Sequence, residues 1–218
     1  MTTRGRLALL AACGVVAALV ALFAAVRSPA PNSGPPPGSV RLGPEPGESI
    51  AAYVTRAAAS LPPAGTTALA LVQFDDERSV GAVQVPGTPV DAVFRVDLPR
   101  VQTALRFVPL EPDVPVATAL DTARQRAGAA ASADAGGFVG RPHDVAVAEA
   151  TALTRPDCPC LVALVVSADG AELGRPAAGV RVVEAAPPGV TLRELALSPL
   201  LPEQADRADP LPDDGRVP

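Results

Sequence analysis

The first apolar segment constrains this chain more than any other feature. Residues 7–26 form a run of 20 residues that holds no charge and no proline, and Gly14 is its single glycine. A helix rises 1.5 Å per residue, so this run is about 30 Å long, which matches the hydrocarbon core of a bilayer. The sequence therefore predicts a transmembrane helix at residues 7–26, through which the chain binds the membrane.

Arginine residues flank this segment unevenly. Arg4 and Arg6 precede it, and Arg27 follows it. Positive charge concentrates on the cytoplasmic side of membrane helices. We therefore expect residues 1–6 to be cytoplasmic. The sequence predicts a single-pass protein of the cell membrane that carries its C-terminal domain outside.

Two other kinds of N-terminal segment compete with the anchor. A cleavable signal peptide has an apolar region of about 7–15 residues and a small-residue cleavage site. Here the run is longer, and the best site, Ser28-Pro29-Ala30, precedes Pro31. Leu10-Ala11-Ala12-Cys13 fits a lipoprotein signal, but the 13 residues that follow Cys13 are apolar, where a mature lipoprotein turns polar. The anchor is favoured, and cleavage is left open.

Composition divides the remainder of the chain into three parts. Residues 27–47 hold seven Pro and four Gly in 21 residues. Proline favours polyproline II and turns, so this stretch is predicted to be an extended spacer. Residues 205–218 are rich in Pro and Asp and are predicted to be a disordered tail. The folded domain is expected between them, at residues 48–204.

The charge and the aromatic content exclude some kinds of partner. From Arg41 onward, 15 Arg stand against 23 acidic residues, a net charge of −8, and the whole chain has five Phe, one Tyr and no Trp. An acidic surface repels phosphate groups, and few aromatic rings are present to stack on bases. Nucleic acid and anionic lipid headgroups are therefore not expected as partners.

Hydrophobic periodicity predicts an α+β domain. Residues 161–166 are six consecutive apolar residues, typical of a buried strand, and residues 66–74 contain a similar run. Helical spacing of apolar residues marks residues 50–61 and 115–133. Weaker signals predict short strands at 79–85, 90–96, 103–110 and 180–184, a helix at 144–153 and a crossover helix at 171–178. A strand–crossover–strand unit that occurs twice around a helical middle suggests a small sandwich of mostly antiparallel sheet and helices with ferredoxin-like halves.

Cys158-Pro159-Cys160 is the most unusual local motif. Outside the cytoplasm thiols tend to oxidise, so a disulfide between Cys158 and Cys160 is the favoured interpretation. In an extended chain their Cα atoms would be about 6.5–7 Å apart, at the upper limit of disulfide geometry. Free thiols and a redox-active pair stay open as alternatives. Thioredoxin-type motifs have two intervening residues and a following helix, whereas a strand is predicted here.

Other polar residues do not predict a catalytic, cofactor or metal site. His143 is the single histidine, and no nucleophile motif accompanies it. One histidine with one pair of adjacent cysteines falls short of the four ligands of a zinc site. Asp75, Asp76 and Glu77 lack the spacing of a calcium loop and are expected in a solvated turn. Arg124 and Arg126 are expected on a solvated helix face, with Arg124 paired to Asp121.

Four segments carry a resemblance to a family, and the closing Pro-Leu-Leu-Pro-Glu-Gln is the most specific of them. They are residues 70–74, 158–166, 180–183 and 199–204. On these residues the chain resembles an uncharacterised family of actinobacterial single-pass membrane proteins. The resemblance covers most of residues 48–204 and implies the same architecture without implying an activity. The chain departs from the family at residues 75–84, where relatives carry a clearer helix.

These observations together predict a membrane-anchored extracytoplasmic interaction or sensor domain without catalytic activity. The expected partner is an unidentified protein of the cell envelope. The alternative function is that of a thiol–disulfide redox protein, in which Cys158 and Cys160 would be the reacting pair.

Overall fold

Five antiparallel strands form the central sheet of the computed structural model, which describes residues 36–175 and 177–218. Two further short strands pair with each other, and four α-helices complete the domain. In chain order the elements are β1 Val40–Leu42, α1 Ile50–Ala59, β2 Thr67–Arg78, β3 Thr88–Phe94, β4 Arg106–Pro109, α2 Val116–Gly137, α3 Arg141–Thr154, β5 Leu161–Asp169, α4 Gly170–Leu173, β6 Val180–Ala185 and β7 Leu195–Leu197.

The order of the strands interlocks the two halves of the chain. The sheet runs β4-β3-β5-β2-β6, and every neighbouring pair is antiparallel. Strands β2 and β3 are therefore parallel to each other with β5 between them, and β5 and β6 are parallel with β2 between them. The α+β class and the mainly antiparallel sheet are as the sequence predicted. The two predicted buried strands, now β2 and β5, are central neighbours with Thr67 opposite Asp169.

The helical hairpin α2–α3 covers one face of the sheet. Its alanine-rich surface allows the two helices to approach closely, and a Cβ on Gly128 would lie 3.4 Å from the Cβ of Leu153. Leu120, Ala127 and Leu153 pack on the sheet residues Val72, Phe94 and Leu164. The helices expected at residues 115–133 and 144–153 are thus present; α2 continues beyond the predicted C-terminal end, and α3 is longer at both ends.

The pair β1–β7 covers the other face, which corrects the predicted extent of the spacer. Val40 lies opposite Leu195 in a parallel register, and Leu42 is 2% exposed against Leu71 and Val93. Gly43 follows with φ +119°, and a Cβ there would lie 1.8 Å from the carbonyl oxygen of Ser198. The last part of the predicted spacer 27–47 is therefore part of the folded domain, because its apolar residues are buried.

The predicted disordered tail, residues 205–218, follows a defined path along the domain. Ala208 is buried against Ile50 and Tyr53. Its N–H donates to the carbonyl of Glu48, and the N–H of Gly215 donates to the carbonyl of Arg100. Composition suggested disorder, but these backbone groups find partners in distant parts of the chain. The expectation of a disordered tail is not met by the structure.

The segment after β2 also differs from expectation. Residues 79–85 were expected as a strand, yet β2 itself continues to Arg78, and a 3₁₀ turn follows at Val80–Ala82. The acidic residues expected in a turn lie within β2, where Arg78 pairs with Leu161 of β5 and forms an ion pair with Asp75. Their acidic side chains do not resemble a strand in the sequence. The strand forms because its backbone pairs with β5. The crossover helix expected at 171–178 shortens to α4, which Asp169 caps.

Among the residues that the structure describes, no helix combines the length and the apolar character needed to cross a bilayer. The predicted transmembrane segment 7–26, the residues 1–6 and most of the predicted spacer lie outside the described residues.

Candidate functional site: a cleft beside a buried ion pair

The two cysteines lie in the loop before β5. Cys158 and Cys160 are each 2% exposed and belong to the core between the sheet and the α2–α3 hairpin. Their sulfur atoms are joined, and their Cα atoms are 5.3 Å apart, closer than the extended chain assumed above. The oxidation state in the cell stays a prediction. Burial keeps both sulfur atoms out of reach of a second protein.

His143 lies on the surface of the domain, whereas Arg124 is buried in the helical hairpin. His143 is exposed in the first turn of α3, and its Nδ1 lies 2.9 Å from the carbonyl oxygen of Ala135. Arg124 was expected on a solvated face, but it is 2% exposed and donates to the last turn of α3 at Leu153 as well as to Asp121. It thereby closes the helical hairpin, since the final carbonyls of a helix lack partners within it. Arg126 is exposed and pairs with Glu111.

Three carboxylates converge at the end of β2. One oxygen from each of Glu77, Asp97 and Glu203 lies within 4.8 Å of the others. Arg95, 2% exposed, is 2.6 Å from Glu203, 3.7 Å from Glu77 and 3.8 Å from Asp97. Burial, then Glu203 and Asp97, raise the pKa of Glu77 above its usual range, and burial with Glu203 raises the pKa of Asp97. Arg95 already neutralises part of this cluster, so its contacts alone do not require a metal ion.

A separate cleft of about 240 Å³ opens at one edge of the domain. Its walls come from the loop that leads into β4, from the turn between α2 and α3, and from residue 213 near the end of the described chain. The lining residues are Gln102, Ala104, Arg106, Asp134, Phe138, Arg141, Pro142, Val145, Ala146, Glu149 and Asp213. None of these described lining residues is a Ser, Thr, Cys or His. The ionisable groups of this lining are the carboxylates of Asp134, Glu149 and Asp213 and the guanidinium groups of Arg106 and Arg141.

A buried ion pair forms the inner wall of this cleft. The side chains of Arg106 and Glu149 are 9% and 3% exposed, and Arg106 Nη2 is 2.5 Å from Glu149 Oε2. The other carboxylate oxygen of Glu149 accepts the N–H of Ala104 at 2.6 Å, and Arg106 Nη1 donates to Asp134 at 3.0 Å. Arg106 Nε is buried and has no hydrogen-bond acceptor among the described residues. A buried donor without an acceptor is costly.

The mouth of the cleft is apolar. Phe138 is 50% exposed and Val139 is 86% exposed in a turn that glycines flank on both sides. Pro142 and Val145 continue the apolar surface inwards. Binding sites commonly combine an apolar lining with a few convergent polar groups. This lining suits an amphipathic segment that has an apolar side chain and a hydrogen-bond acceptor.

A second cavity of about 180 Å³ lies on the other side of Gln102. It is lined by Arg95, Gln102, Thr103, Leu105, Leu201, Gln204, Pro210 and Leu211. Residues 210–215, which we name the strap, contribute Asp213 to the first cavity and Pro210 and Leu211 to the second. The strap therefore runs along the surface that separates them.

Sequence reasoning did not find this site. Arg106 and Glu149 are 43 residues apart, and neither belongs to a motif. Residues 205–218, which were predicted to be a disordered tail, supply one wall of the cleft through Asp213. The chain matches no family model, no curated protein and no solved structure. The resemblance described above therefore stays an expectation, and the site is interpreted from its geometry.

Proposed function

We propose that this chain is a membrane-anchored, extracytoplasmic interaction domain that binds a protein partner at the cleft beside Arg106 and Glu149. Anchoring rests on the apolar run at residues 7–26 and on the arginines that precede it. The proposal of a binding role is supported by the cleft, whose described lining combines charged groups with apolar surface.

One observation carries the binding proposal. Arg106 is nine-tenths buried in the wall of a cleft, with its Nε donor unmatched, and Phe138 stands half-exposed at the mouth. A half-exposed aromatic side chain beside a charged group is typical of a binding surface. A partner that covers Phe138 with an apolar side chain and brings a carbonyl or carboxylate oxygen to the Arg106 guanidinium would stabilise both groups.

The redox alternative has less support. A thiol–disulfide protein must present one sulfur atom to the disulfide or thiol of another protein. Cys158 and Cys160 are both 2% exposed, and a β-strand follows them instead of a helix N-terminus that would stabilise a thiolate. The pair is better explained as a clip in the loop before β5.

We also infer a ferredoxin-like relationship for the sheet. Its strand order β6-β2-β5-β3 is that of two split strand–crossover–strand units, and β4 extends it at one edge. The domain departs from a ferredoxin-like fold in its helices. The two crossovers hold only a 3₁₀ turn and the four-residue α4, whereas the long helices α2 and α3 lie in the connection between β3 and β5.

Site-specific photocrosslinking in the native cell tests the proposed function. A photoreactive amino acid is placed at Phe138, and a matched control is placed at Val116, which is 45% exposed at the start of α2. We expect a specific protein adduct from position 138 and none from position 116. Absence of an adduct at both positions, or turnover of an envelope substrate by the purified chain, would contradict the proposal.

A further inference from the structure

The strap makes backbone-directed contacts with the surface beneath it. The N–H of Gly215 donates to the carbonyl of Arg100 at 2.7 Å. Gln102 donates its N–H to Asp213 at 3.1 Å and its side-chain amide to the carbonyl of Leu211 at 2.5 Å. These contacts recognise an extended chain, because they engage main-chain groups and a carboxylate instead of an apolar side chain.

Two arginines on the same surface recognise the two adjacent carboxylates of the strap. Arg100 binds Asp214 through Nε at 2.7 Å and Nη2 at 2.5 Å, a two-point contact. Arg141 binds Asp213 at 2.9 Å. Each arginine lowers the pKa of its partner carboxyl. The surface therefore selects an acidic segment, although the domain as a whole carries a net charge of −8 from Arg41 onward.

The strap is held by contacts that exchange easily. The side chains of Arg100 and Asp214 are 62% and 64% exposed, and those of Arg141 and Asp213 are 39% and 47% exposed. Exposed ion pairs contribute little to stability and are screened by salt. No residue of the strap is fully buried, so lifting it exposes little apolar surface.

The strap also leaves the neighbouring cleft unfilled. A volume of about 240 Å³ stays open beside Asp213, and the Arg106 side chain is part of its lining. A segment with the same charge pattern and a larger apolar residue at this point would make every contact of the strap and further contacts in the cleft. Such a segment would compete with the strap successfully.

We infer that this groove, formed by residues 98–105 and the start of α3, is a docking site for an acidic, proline-containing extended segment of a partner protein, and that the strap occupies it in the free molecule. This inference rests on the proposed function and specifies the chemistry of the partner. Binding of the partner requires release of the strap, so strap occupancy lowers the apparent affinity.

Substitution of Gly215 separates the strap from the groove without changing any charge. A Cβ at this position would lie 2.1 Å from the carbonyl oxygen of Pro99 and 2.8 Å from that of Arg100. Gly215→Ala should therefore release the strap while the arginines of the groove stay intact. Gly81→Ala is the matched control, because no atom lies within 4 Å of a Cβ there.

The probe is a fluorescent peptide with the sequence of residues 208–218, added to the purified full chain and followed by anisotropy. We expect Gly215→Ala to bind it about tenfold more tightly than the unsubstituted chain or Gly81→Ala does. Raising NaCl from roughly 50 mM to about 500 mM should weaken this binding. The same peptide with Asn in place of both Asp residues that correspond to Asp213 and Asp214 should bind more weakly, because it loses both ion pairs.

A second variant covers the case in which Gly215→Ala fails to fold. Asp213→Asn combined with Asp214→Asn loosens the strap through its carboxylates, and Asp75→Asn combined with Asp76→Asn is the charge-matched control on β2. Equal affinity in all variants, or no saturable binding in any of them, would overturn the inference. If the binding experiment fails in one of these ways but position 138 still crosslinks a partner, only the identity of the ligand is overturned. The proposed function then stands.

Discussion

A buried hydrogen-bond network around Glu184 permits a quantitative test of the fold. Glu184, 3% exposed on β6, accepts the N–H of Gly43 at 2.6 Å, the hydroxyl of Tyr53 at 3.0 Å and Arg56 Nη1 at 2.5 Å. The network continues because Gln73, on β2, donates its side-chain amide to the Tyr53 hydroxyl. A single carboxylate thus joins the sheet to α1 and to the segment after β1.

Replacing Glu184 by Gln keeps the shape and removes the charge. The amide offers one acceptor oxygen and a donor group, so at least one of the three donors then faces another donor. A hydrogen bond to a charged group contributes roughly 1.5–3 kcal/mol. Arg56 recovers part of the loss, because its side chain is 44% exposed and also pairs with Glu48. We expect the free energy of unfolding to fall by about 3 kcal/mol, a large share of the roughly 5–15 kcal/mol that stabilises a domain.

Urea unfolding of residues 37–218, followed by circular dichroism, measures this change. The slope with denaturant should stay constant, so that a lower midpoint reports lost stability alone. Glu111→Gln is the control, since its side chain is 51% exposed, and it should cost less than about 0.5 kcal/mol. A loss below about 1 kcal/mol for Glu184→Gln would refute the reasoning, because a buried carboxylate with three donors would then be no better than an amide.

Three further predictions concern pH, the cysteines and the membrane. Burial raises the pKa of Asp91 to about 6, so the folded state holds a proton that the unfolded state has lost, and the contribution of Asp91 to stability should fall by roughly 1–3 kcal/mol as the pH rises from about 4 to about 7. In urea unfolding, the difference in stability between the unsubstituted chain and Asp91→Asn should therefore change by that amount over this pH range. Intact-mass measurement without reductant should show a chain lighter by two hydrogen atoms than the fully reduced chain, and replacing Cys158 and Cys160 by Ser should lower stability by about 1–2 kcal/mol. Free thiols at both Cys158 and Cys160 would contradict the disulfide. A membrane-impermeant maleimide should label a cysteine substituted for Glu111 in intact cells, and labelling only after lysis would contradict the predicted orientation.

The sequence predicted the parts of the fold that depend on neighbouring residues. The central strands β2 and β5 appeared as uninterrupted apolar runs, and α1 and α2 appeared through helical spacing, because burial on two faces or on one stripe leaves a local pattern. Strand β1 and the strap had no such pattern. Both lie in proline-rich segments whose backbone partners are far away along the chain: Val40 lies opposite Leu195, and the N–H of Gly215 donates to the carbonyl of Arg100.

The candidate site was missed for the same reason. Its charged residues are ordinary members of separate elements, and only the fold brings Arg106 to Glu149 and Asp134. The cluster of Glu77, Asp97 and Glu203 is equally dispersed along the chain. The α+β class and the antiparallel sheet, by contrast, were predicted from the sequence, because buried strands and amphipathic helices leave local patterns.

The interlocked sheet has a consequence for biosynthesis. Strand β2 is made early, yet its described neighbours β5 and β6 emerge from the ribosome about 100 residues later, and β1 must wait for β7. A nascent chain of this kind stays open until nearly all of it has been synthesised. An open chain is the form that a narrow protein-conducting channel accepts, so this connectivity is compatible with the proposed export of the domain.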